Sequence, residues 1–171
     1  FSLKPQGASF ELAEDKDVVS GILPTGIKFG PDGALYVADW INGWDTKNYG
    51  RVWKLDVSDD KNDLKDIRIE TKRLMQLDYS KQPEEDLYKL LSYADMRIRQ
   101  KSQLELAKRE KQGWEIFKRA IVQQDNQLAR VHGIWGIGQL ARKDLTLATP
   151  LLDLFKDNDP EIVAQAAKIA G

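Results

Sequence analysis

Few residues of this chain have types and spacings suited to chemistry. It holds one histidine, His132, and no cysteine, so a multi-histidine metal centre, a zinc knuckle, an iron–sulfur cluster or a thioether-attached haem cannot be built from it. Asp32, Asp39, Asn42 and Asp45 could offer oxygen ligands to calcium, a hard cation. The simpler reading is that Asp32 and Asn42 fix turns through their own backbone and Asp39 orders a loop, since no D-x-[DN]-x-[DN]-G loop surrounds them. Trp40, Trp44, Tyr49 and Trp53 could stack on a sugar or another flat ligand. Their alternative role is core packing, with Trp44 and Tyr49 the two that sit in a connection between strands. His132 could shuttle a proton, although a lone histidine beside Trp135 on a packed helix reads first as a hydrogen-bonded structural residue. Arg97, Arg99 and Arg130 could bind an acidic partner, or could bridge to acidic residues of neighbouring helical repeats, with Asp95, Asp125 and Asp159 as partners. The sequence contains no G-x-S-x-G elbow, no P-loop and no G-x-G-x-x-G. No catalytic or cofactor-binding residue is therefore assigned.

Twenty-six Lys and Arg face 27 Asp and Glu over 171 residues, and the net charge of −1 excludes a nucleic-acid or polybasic membrane footprint by bulk charge. No apolar run approaches the ~20 residues of a membrane span. Charge and composition divide the chain. Residues 1–70 carry 9 basic and 13 acidic side chains, and residues 71–171 carry 17 and 14. Turn pairs dominate the first part and long helical periods the second. The reading is two domains: 1–72, a linker 73–84 around Lys81-Gln82-Pro83-Glu84, and 85–171. The chain opens on Phe1 rather than Met and ends at Gly171 within an expected helix, so a segment of a longer protein is expected.

In the first part, Gly26-Ile27-Lys28-Phe29 alternates as a strand does, Pro31-Asp32-Gly33 supplies a turn, and Leu35-Tyr36-Val37-Ala38-Asp39 is rich in strand-favouring residues. Arg51-Val52-Trp53-Lys54-Leu55 alternates again, with Val52 and Lys54 on one face and Arg51, Trp53 and Leu55 on the other. The pattern predicts a meander of about four short strands. The Asp59–Asp63 run reads as a solvated turn and Lys108–Lys111 as a solvated helix end.

The second part repeats. Asp95, Asn126 and Asp159 open similar stretches 31 and 33 residues apart, followed by small residues at Ser102, Gly133 and Ala166. Each unit reads as helix, acidic turn, helix, about three units in all with the last truncated, and such repeats bury their stripes only against neighbours.

These motifs carry a resemblance. Leu23-Pro24-Thr25-Gly26-Ile27-Lys28-Phe29-Gly30-Pro31-Asp32-Gly33 through Ala38-Asp39-Trp40-Ile41-Asn42-Gly43-Trp44 resembles the closing blades of bacterial membrane-bound dehydrogenases related to quinone-dependent sugar dehydrogenases. Ala129-Arg130-Val131-His132-Gly133-Ile134-Trp135 resembles their HEAT-like repeats. The resemblance implies an α+β chain of two domains, with antiparallel β-propeller blade(s) followed by an α-solenoid of HEAT-like repeats. It implies pyrroloquinoline quinone, calcium and haem only outside this segment, because the arginine positions of the quinone clamp fall on Leu23 and Thr25 and no C-x-x-C-H is present. It also implies a bacterial periplasmic or outer-envelope location. The implied partners are the remaining blades and repeats of the same protein, a cytochrome c domain or other envelope proteins. The function expected for these residues is structural closure and a helical docking surface, with any oxidoreductase chemistry elsewhere. The alternative is a non-catalytic scaffold or a carbohydrate-binding protein.

Overall fold

The computed structural model describes residues 1–7, 9–41 and 48–171. It divides into two compact units, one of Phe1–Ser2 with Glu14–Leu77 and one of Leu3–Ala13 with Asp78–Gly171. No helix among the described residues is long and apolar enough to cross a membrane.

The first unit is built on a sheet of three antiparallel strands, β3 (Pro24–Phe29), β4 (Leu35–Asp39) and β5 (Arg51–Leu55), in the order β3-β4-β5. The Pro31-Asp32-Gly33 turn joins β3 to β4. Asp32 Oδ1 accepts the Ala34 N–H at 3.2 Å, and Gly33 lies at φ +76°, where a β-carbon would be strained. Register places Ile27, Val37 and Trp53 in one row, so the alternation read from the sequence sets the faces. The sheet is followed by α1 (Lys65–Met75), a helix not anticipated from the sequence. Arg68 fastens it, donating to the Asp32 carbonyl at 2.8 Å and to the Asp56 carboxylate at 2.7 Å.

The second unit contains β1 (Ser2–Gln6, with Ser2 grouped in the first unit) and most of β2 (Ser9–Glu14), which pair only with each other among the described residues. It continues with α2 (Glu84–Leu90), α3 (Met96–Lys108), α4 (Lys111–Val122), α5 (Gln127–Ala141), a 3-10 segment (Leu145–Lys156) and α6 (Pro160–Ala170). The three aligned positions are helix caps. Asp95 accepts the Arg97 N–H at 2.8 Å, Asn126 the Ala129 N–H at 2.9 Å and Asp159 the Glu161 N–H at 2.9 Å. Helix α5 is apolar on nearly every side and is packed by α3, α4, α6 and the 3-10 segment. Phe117 and Ile121 of α4, Ile98 and Leu106 of α3, Leu151 and Leu154 of the 3-10 segment, and Ile162 of α6 form the core with Ile134, Ile137 and Leu140 of α5.

Two expectations are corrected. The propeller blade is not formed. A blade is four strands closed by its neighbours, whereas the described strands make a sheet of three and a separate pair, with no propeller closure. G-P-D-G specifies a hairpin and not the number of strands beside it. The α-solenoid of HEAT-like repeats is corrected as well. The 31- and 33-residue spacing marks cap positions, but the unit is a cluster around one enclosed helix. Where a third regular helix pair would begin, the chain forms 3-10 turns with Pro150 inside them. A proline has no N–H for an α-helical bond and forces the tighter, broken path.

The turn from α3 to α4 passes through Glu110 at φ +48° and brings α4 against the end of α3. A β-carbon on Gly113 would stand 1.8 Å from the Leu106 carbonyl oxygen, which is backbone and cannot give way. Gly113→Ala is therefore expected to lower stability by about 2 kcal/mol through overpacking, against the ~1 kcal/mol that alanine gains over glycine inside a helix. The measurement is urea unfolding, with the midpoint falling at unchanged slope.

Candidate functional site

In the sheet unit the acidic candidates serve the fold. Asp39 is buried and accepts five hydrogen bonds: the N–H groups of Leu23 (3.0 Å) and Ile41 (2.9 Å) on Oδ1, and the Trp53 indole (2.9 Å) with two from the Arg51 guanidinium (3.2 and 2.9 Å) on Oδ2. The Trp53 bond, then the two backbone N–H groups and Arg51, hold its carboxyl well below the usual range. With its lone pairs so occupied, Asp39 has none to offer a cation. Asp32 is lowered to about 2, first by its bond to Lys54 and then by Tyr36 and the Ala34 N–H. Asn42, Trp44 and Asp45, the remaining candidates for a cation ligand or a stacking surface, lie outside the described residues. Tyr49 is exposed, and Trp40 and Trp53 are each partly so. The Trp53 ring carries Arg51 on one face, 4.8 Å from its centroid. No group of three or more His, Asp or Glu side chains able to hold a metal ion converges among the described residues.

In the helical unit, Arg97, Arg99, Arg130 and His132 take three separate arrangements. Arg97 bonds Asp95, the cap of its own helix, at 2.7 Å. Arg130, almost wholly buried, donates to the Ile121 carbonyl at 2.9 Å and closes a two-pronged ion pair on Asp157. The acidic partner is therefore Asp157, two residues before the expected Asp159. The Arg130 bond also holds the Asp157 carboxyl below its ordinary value. Arg99 and His132 meet. The Arg99 Nε–H reaches His132 Nε2 at 3.1 Å, and its Nη1 donates to the Tyr93 and Ala94 carbonyls at 2.6 and 2.7 Å. His132 Nδ1 lies 2.7 Å from Gln103 Oε1, and Gln103 Nε2 donates to Gln139 Oε1 at 2.8 Å. The imidazole is 2% exposed and meets Trp135 edge-on at 5.1 Å. Burial first, and then the neighbouring guanidinium, push its pKa down to about 4. Buried, with both ring nitrogens engaged, this histidine is bound within the fold.

Gln103, Gln139 and the Trp135–Gln165 bond at 2.8 Å escaped the sequence reading. The available signal was the spacing Arg99, Ser102, Gln103, Leu106, which puts polar residues on the inward stripe of α3. A buried stripe that is polar must be matched by a polar stripe on the facing helix.

No family model matches this chain, and no curated protein or solved structure matches it either.

The Arg130–Asp157 pair yields a stability test. Arg130→Met strands the Asp157 carboxylate and the Ile121 carbonyl, and is expected to cost about 3 kcal/mol. Arg130→Lys is expected to recover less than half of that, because one ammonium cannot serve both partners. Urea unfolding of the three proteins at pH 7 gives the comparison.

Proposed function

We propose that this chain acts as a protein-interaction module, and that its docking surface is the outer layer of the 3-10 segment and α6. These elements turn Leu151, Leu154, Ile162 and Ala166 inward, yet leave Leu145 83%, Leu152 55% and Phe155 42% exposed. That exposure is the observation that carries the reading. Side chains three residues apart eclipse one another on a 3-10 helix, so Leu152 and Phe155 stand together. On α6 the exposed positions Ala164, Ala167 and Ala170 recur every three residues, and side chains this small allow the backbone of another helix to approach to ~8–10 Å between axes.

The occupant this chemistry fits is an amphipathic helix of a partner protein, laying an apolar stripe against Leu152 and Phe155. The resemblance to envelope dehydrogenases would put such a partner in a bacterial envelope complex.

The test is selection from a library of displayed helical peptides on the immobilised full chain. Peptides with apolar residues at i, i+3, i+4 and i+7 are expected to enrich, and to bind Leu152→Lys/Phe155→Lys at least tenfold more weakly. Equal binding to both proteins, or no helical enrichment, would overturn the proposal. A wild-type dimer that the double variant abolishes, seen by light scattering, would overturn it in favour of self-association.

A further inference from the structure

The hydrogen-bonded chain Arg99–His132–Gln103–Gln139 has one consistent assignment of protons. A guanidinium can only donate, so His132 Nε2 must accept from Arg99. The imidazole is then the neutral Nδ1–H tautomer, and Nδ1 donates to Gln103 Oε1. That orients the Gln103 amide so that its NH2 group donates to Gln139 Oε1. Each link fixes the next, and all three bonds, Arg99–His132, His132–Gln103 and Gln103–Gln139, join α3 to α5.

The weak link is Nε2. A proton placed there removes the acceptor that the Arg99 Nε–H uses and sets an imidazolium against a guanidinium at 3.1 Å. We propose that this chain is an acid-released clasp: uptake of one solvent proton by His132 Nε2 breaks its bond to Arg99 and frees the first half of α3 from α5. Arg99 keeps the Tyr93 and Ala94 carbonyls, so it stays with the turn that opens α3. Gln103 keeps its bond from Nδ1–H. The opening is therefore local to the Arg99 end.

Among the described residues, no carboxylate is placed to receive the new charge. On α3, Asp95 is held by Arg97, and Glu105 faces Lys108 and Arg109. The face of α4 against α5 is Phe117, Ala120 and Ile121, while its Glu115 pairs with Lys118 and its Arg119 with Glu85. On α5 itself Arg130 is committed to Asp157. The 3-10 segment offers Leu151 and Leu154, with Asp153 and Lys156 exposed. On α6, Gln165 serves Trp135 and Glu161 serves Gln165, while Lys168 is exposed. The sign follows from linkage. The folded imidazole titrates at about 4 against the ordinary 6.5, so the closed state binds its proton more weakly than the open one. The clasp is whole above about pH 6.5, weakens as pH falls, and reaches its full loss below about 4.

Because the chain has a single histidine, its imidazole signals need no assignment. Long-range 15N–1H spectra of the intact chain are expected to show the Nδ1–H tautomer at pH 7 and a titration midpoint below 5. Hydrogen exchange is expected to show protection of the amides in the first half of α3 falling by up to tenfold per pH unit between 6.5 and 4, with α4 unchanged. His132→Gln, which keeps an acceptor near Arg99 but does not titrate there, is expected to make α3 protection independent of pH in that window. If the variant fails to fold, the wild-type spectra and exchange still decide. The Nε2–H tautomer, a midpoint near 6.5, or loss of protection spread equally over α3 to α6 would each overturn the clasp.

Discussion

The helical unit depends on the enclosure of α5. A helix covered on every side gains apolar burial around its whole circumference, at the condition that any polar atom on it finds a partner inside. Arg130 and His132 sit on this helix, and both meet the condition with groups from other elements. Close packing supports the same arrangement. At Gly136 a β-carbon would lie 2.4 Å from the Phe117 ring, so α4 rests directly on the α5 backbone. The arginine, the histidine and the glycines are thus consequences of one choice, which is to bury this helix fully.

The sheet unit is held differently. Every residue of β3 is exposed, and Ile27 keeps 69% of its surface open. Three short strands with so little apolar cover gain little from burial. Directional bonds make up part of the difference. Asp39 ties the residue before β3 to β4 and to β5, and the Asp32, Lys54, Asp56 and Arg68 cluster ties the hairpin to α1.

The sequence revealed what short-range chemistry decides. The strands around Ile27, Val37 and Trp53 were legible because their alternation is local, and the helix starts at Asp95, Asn126 and Asp159 because a cap is a local bond. What depended on distant partners was not legible. Helix α1 was missed because its Ile67 and Ile69 face outward and its inward face is led by Arg68 and Thr71, so no apolar stripe announces it. The same chemistry misled where a motif was asked to specify an assembly. G-P-D-G described a turn correctly and said nothing of blade number, and regular cap spacing did not guarantee regular helices between caps. At the candidate site, His132 read first as a structural residue, but Gln103 and Gln139 could be recognised only once α3 and α5 lay side by side.

Asp39 gives the sheet unit an unequal tolerance to sequence change. It is a hub with spokes from the Leu23 and Ile41 main chain and from the Arg51 and Trp53 side chains. Losing either side-chain spoke leaves the others converging on the same oxygens, and the two main-chain spokes survive most replacements of their residues. Losing the hub disconnects them all at once. Drift at the rim is thus buffered, whereas the centre is a single point of failure.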